Sequence, residues 1–109
     1  MSELLRRNHG FLHLLNNTPS FHQKKNILMS ATPEQVHALC EVCYNVLTGC
    51  IPSTEAQRAK LRPYKENLYD LAESRVPFKQ KKQILVQHGG GFIQDLLSPL
   101  VSGISLLLI

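Results

Sequence analysis

The stretch FHQKKNILM at residues 21–29 returns as FKQKKQILV at residues 78–86, and how that pair is read decides how the chain folds. Six of the nine positions are identical: Phe21 and Phe78, Gln23 and Gln80, Lys24 and Lys81, Lys25 and Lys82, Ile27 and Ile84, Leu28 and Leu85. The flanks agree more loosely. Phe11, Leu14 and Leu15 stand at the same offset from Leu68, Leu71 and Ala72, and Val36, Leu39, Cys40 and Cys43 from Ile93, Leu96, Leu97 and Leu100. The pattern reads as a degenerate tandem repeat of about 57 residues, with units near 1–57 and 58–109, longer than the usual solenoid period.

A chain of 109 residues with 43% hydrophobic content can bury one modest core but not two independent ones, so the repeats are expected to pack on each other. There is no Trp, and no β-branched alternation marks a strand. The expected fold is all-α: a small helical domain over residues 1–88, built from about five short helices, followed by an apolar C-terminal segment over 89–109.

TPEQ at residues 32–35 is the strongest local signal. Thr32 fits an N-cap, Pro33 the first helical position, where no amide donor is lost, and Gln35 the returning half of a capping box. The helix that follows buries Val36, Leu39, Cys40, Cys43, Val46 and Leu47, and Gly49 is its natural end. Upstream, Leu4, Leu5, Phe11, Leu12, Leu14 and Leu15 predict one helix over about residues 3–16. Thr18 or Ser20 can cap the first nonamer, with Ile27 and Leu28 turned inward and the lysines at its edge. Downstream, Ser53 or Thr54 caps a helix whose stripe is Leu61, Tyr64, Leu68 and Leu71, and Pro63 predicts a kink or two short helices meeting near Arg62. The second nonamer is expected to run from Pro77 to about His88 and stop at a flexible joint, Gly89-Gly90-Gly91.

The last stretch, FIQDLLSPLVSGISLLLI, is broken at Asp95, Pro99 and Gly103, short of the roughly 20 apolar residues that a membrane span needs. Three fates stay open for it: core packing, association with another chain, or contact with a bilayer through Phe92, Ile93, Leu96, Leu97, Leu100, Leu106 and Leu107. The N-terminus is a poor signal peptide because Asn8, His9, Gly10 and His13 interrupt its apolar run, so the expectation is a protein that is not secreted.

The formal charge of +4 lies wholly in the second half, since residues 1–57 carry four Lys/Arg against four Asp/Glu and residues 58–109 eight against four. That excess suits either a solubility surface or a polyanion such as nucleic acid or anionic lipid. Lys24 and Lys25 in one repeat and Lys79, Lys81 and Lys82 in the other, joined by Arg58, Lys60, Arg62 and Lys65, are the candidate phosphate contacts. Such a surface neutralises phosphates without reading bases. Tyr64 and Tyr69 could stack on bases, although Tyr64 lies on the apolar stripe.

CEVC at 40–43, with His37 and Cys50 nearby, invites a zinc or redox reading. Both cysteines of that motif fall on the apolar stripe of a capped helix, where free Cys behaves as a small hydrophobe, so no metal and no cofactor are expected. His9 and His13 lack the glutamate of HExxH and read as surface or cap residues. No nucleophile constellation or carboxylate pair stands out, and the triple glycine has no GK[ST] after it, so the expectation is a protein that is not an enzyme.

Four segments taken together resemble the small basic proteins encoded by Maverick/Polinton-type elements and adintoviruses. They are Leu14-Leu15, Pro19 and Gln23 to Leu28; Thr32 to Val36 with Cys40, Val42, Asn45 to Leu47, Gly49 and Ile51-Pro52; Lys60, Leu61, Tyr64, Lys65, Leu68 and Leu71-Ala72; and Lys79 to Phe92. The tail also resembles the C-terminal part of the adenoviral core-protein precursor, protein X, but the dense arginine run of that protein is missing here. The resemblance implies a virion or mobile-element structural protein, in a virion or a host nucleus or cytoplasm, that binds DNA backbone. The apolar tail, with the lysines drawn to anionic headgroups or an acidic capsid surface, gives the alternative expectation of a membrane-active or capsid-bridging component, with capsid proteins, an anionic membrane or further copies of the chain as other partners.

Overall fold

Side-chain caps mark most of the helix starts. In the computed structural model, which describes residues 2–108 (side chains excepted at 89, 90 and 101–108), Ser2 Oγ accepts from the Leu5 amide and opens α1 (Glu3–Arg7). The single helix expected over 3–16 is two, because Asn8 leaves helical geometry at φ −102°, ψ 14° before α2 (His9–Asn17) begins. Buried Asn8 donates from Nδ2 to the Leu4 carbonyl at 2.8 Å, the kind of local side-chain bond that competes with the backbone ladder. Thr18 closes α2 by donating to the Leu14 carbonyl at 2.6 Å.

Ser20, rather than Thr18, caps α3 (Phe21–Met29), the first nonamer. The capping box at α4 (Pro33–Leu47) is complete: the Gln35 amide donates to Thr32 Oγ1 at 3.2 Å and the Thr32 amide to Gln35 Oε1 at 2.9 Å. Gly49 follows α4 at φ +79°, its amide returning to the Val46 carbonyl at 3.3 Å, as a left-handed C-terminal residue should. Between Ser53 and Thr54 the choice falls to Thr54, which forms a second capping box with Gln57 at the head of α5 (Glu55–Leu61). The interruption predicted near Arg62 is a 3-10 turn, Arg62–Tyr64, that accommodates Pro63 before α6 (Lys65–Ala72).

The last element, α7 (Phe78–Leu108), begins with the second nonamer. It departs most from expectation, because it passes through Gly89-Gly90-Gly91 without a joint and contains Pro99 in its interior. Each glycine costs a helix about 1 kcal/mol relative to alanine, whereas burying a leucine or phenylalanine side chain contributes roughly 1.5–3 kcal/mol. Phe92, Ile93, Leu96, Leu97 and Leu100 are all buried just beyond the glycines, so tertiary packing outweighs local propensity.

The fold is all-helical, with seven α-helices and no strand among the described residues. α7 packs against α2, α3, α4, α5 and α6, while α4 packs against α1 and α6. One core results. It joins Leu5, Leu12 and Leu15, then Leu28, Val36, Leu39 and Cys43, with Leu61, Leu68 and Leu71 and the apolar face of α7. Among the fates open to the tail, core packing is the one adopted by Phe92, Ile93, Leu96, Leu97 and Leu100, whose side chains are buried. Leu106 and Leu107 lie outside the residues whose side chains are described. Among the described residues no helix is long and apolar enough to cross a membrane.

Candidate nucleic-acid interface

The two nonamers occupy corresponding helical positions. Within each, the first lysine shares a face with the leucine four residues on: Lys24 and Leu28 are both 1% exposed, and Lys81 and Leu85 are 8% and 0% exposed. The reading of these lysines as a pair at the helix edge is thus corrected. The side chains of Lys24 and Lys81 pack among the core residues, Lys24 almost wholly. Neither can lie along a phosphate backbone without leaving that packing. The second lysines differ from each other. Lys25 is exposed, whereas half-buried Lys82 donates from Nζ to the Ala31 carbonyl at 3.2 Å, tying the start of α7 to the segment just after α3.

The remaining candidates divide by partner. Arg58 and Arg62 both hold Glu55, at 3.1 and 2.6 Å, and these hydrogen bonds, Arg58 first, lower the Glu55 carboxyl pKa below its ordinary value. Arg7 pairs with Glu34 at 2.9 Å. Every ion pair among the described residues therefore uses arginine. Lys60, Lys65 and Lys79 are exposed like Lys25, and Lys65 stands 6.0 Å from the centre of the Tyr69 ring. Tyr64 is half-buried against Phe92, with ring centroids 5.0 Å apart, so it serves mainly the core.

The residues that sequence reasoning missed sit where α3 meets α7. The helices run antiparallel here: Ala31 meets Lys82, and the first turn of α3 meets the turns of α7 around His88. A cleft of about 290 Å³ opens between them, lined by Phe21, His22 and Lys25 on one wall and Val86, Gln87, His88 and Gly91 on the other. Phe21, which the two nonamers share with Phe78, is 61% exposed. The Tyr64 ring meets His88 edge to face at 6.3 Å, linking the cleft to the 3-10 turn. Nothing in the local sequence marks His22 or His88, since their convergence depends on how two distant helices pack.

The cysteine motif behaves as a pair of core residues. Cys40 and Cys43 are buried while Cys50 is exposed, and burial pushes the Cys43 thiol well above its ordinary pKa and raises that of Cys40, despite the opposing charge of Lys81. Among the described residues no three His, Cys, Asp or Glu side chains gather as a metal site would require. The histidines expected as surface or cap residues are partly withdrawn: the His9 and His13 rings lie 4.2 Å apart, and each Nε2 is buried without a hydrogen-bond partner.

Comparisons of the chain with protein-family models, curated proteins and solved structures find no match.

Proposed function

We propose that this protein is a non-enzymatic structural component of a virion or of a Maverick/Polinton-type element, and that it binds nucleic-acid backbone without reading sequence. The observation that carries the reading is the state of the lysines. Among the described residues arginines take all the carboxylate pairings, which leaves exposed Lys25, Lys60, Lys65 and Lys79 free for an external anion. The two nonamers descend, in this reading, from one duplicated helical unit, supported by the burial of Lys24 and Leu28 in one and of Lys81 and Leu85 in the other. Duplication kept the first lysine for packing and left the second to diverge.

The membrane-active or capsid-bridging alternative draws no support from Phe92, Ile93, Leu96, Leu97 and Leu100, whose side chains are buried. The deciding experiment is the salt dependence of binding to a random-sequence duplex, for the native chain and for Lys25→Gln/Lys60→Gln/Lys65→Gln/Lys79→Gln. Binding should fall steeply with salt, and the slope should become shallower by about 0.9 for each phosphate contact removed. Absence of binding at low salt, or an unchanged slope in the variant, would overturn the proposal.

A further inference from the structure

We infer that the cleft between α3 and α7 seats one unpaired nucleotide, with its base against Phe21 and its phosphate against Lys25. The inference rests on the nucleic-acid reading above and gives it a preferred target, a single-stranded end or gap rather than a continuous duplex.

Four observations point the same way. The cleft is lined from two segments far apart in sequence, and its lining contains one lysine, two histidines and a glutamine but no carboxylate, so its chemistry favours an anion. The Phe21 ring is 61% exposed at the mouth, although the core could have used it as it partly uses Phe78. An exposed aromatic beside cations is the arrangement that holds single-stranded nucleic acid, because every base offers a face to stack on and the backbone follows the charge. The first turn of α3 carries no acidic residue, so the partial positive charge at this helix start adds to that of Lys25 instead of being neutralised. Finally, about 290 Å³ lies just below the common range of roughly 300–1,000 Å³ for small-molecule sites, which suits one nucleotide unit better than a longer strand.

A paired base cannot enter. In a duplex both faces of each internal base are already stacked, and only the phosphates are offered to the protein. The blunt duplex should therefore use the lysines alone, and a strand with an overhang should use the lysines and the cleft together.

The test compares a blunt duplex with the same duplex bearing a short oligothymidine overhang, by fluorescence anisotropy on the full chain and on Phe21→Ala. The native chain should bind the overhang about tenfold more tightly, within the range one stacked base supplies. Phe21→Ala should remove that preference and leave blunt-duplex affinity unchanged. A second readout uses Phe21→Trp: the chain has no other tryptophan, so its emission should be quenched by the overhang and not by the blunt duplex. Blunt-duplex binding with no overhang preference, or a preference that survives Phe21→Ala, overturns the cleft while leaving the backbone-binding proposal standing. Failure to bind either probe overturns both.

Discussion

At the residue scale, the two lysines of each nonamer have opposite tasks, and substitutions separate them. Lys24 is all but absent from the surface, so Lys24→Met should keep its packing, remove a charge from the interior and leave thermal stability equal or higher. Lys24→Ala should cost about 2 kcal/mol in denaturant unfolding, because the stem's contacts go as well. Neither change should alter the salt slope of duplex binding, whereas Lys25→Gln should. Glu55 gives a pH-dependent case. Its carboxyl pKa is lowered by Arg58 and Arg62, so the pairing favours the folded state above the unfolded pKa and is lost as pH falls through the folded one. Melting curves of Glu55→Gln should lie slightly below those of the native chain at neutral pH and converge with them in acid. The effect will be small, since the group is solvent-exposed and screened.

At the element scale, the legible features were those written within a few residues. Thr32-Pro33-Glu34-Gln35 carries its whole meaning locally, and so does Pro63, whose missing amide forces the 3-10 turn wherever the flanking helices go. Asn8 is harder to read because an asparagine is tolerated inside many helices, and nothing local dictates that its side chain will take up the Leu4 carbonyl. The triple glycine misled for the same reason. Propensity predicted a joint, but the residues that hold α7 together there lie on five other helices. Capping gives the prediction proper to this scale. Thr32→Ala and Thr54→Ala should each lower unfolding free energy by about 1 kcal/mol, through loss of one bonded amide at each helix start. Gly49→Ala should also destabilise by about 1 kcal/mol, since alanine resists the left-handed backbone at +79°. Chemical denaturation of the three variants would measure all of these.

At the scale of the whole molecule, the helical class followed from composition and periodicity, but the division into a domain and a separate tail does not describe what the chain builds. Phe92, Ile93, Leu96, Leu97 and Leu100 complete the same core that Leu12, Leu15 and Leu39 begin. Removing residues 89–109 should therefore abolish cooperative unfolding and increase binding of a hydrophobic dye, where a hinged appendage would leave both unchanged. Circular dichroism melts of the truncated chain decide between these outcomes. The candidate site shows the same limit of sequence reading. Exposed lysines could be listed from the sequence, but which lysine of each pair points outward depended on the packing of α3 against α7, and the cleft exists only because that packing is antiparallel.

The central place of α7 also shapes how the molecule comes to be folded. Most small helical proteins assemble from neighbours in sequence and are correspondingly fast. Here the element that contacts α2, α3, α4, α5 and α6 is the last of the described helices, so its pairings with α2 and α3 close large loops of chain before they return any binding energy. Docking of α7 is then the step expected to limit folding, so refolding kinetics should be slower than for a helical protein of this size built from sequence neighbours.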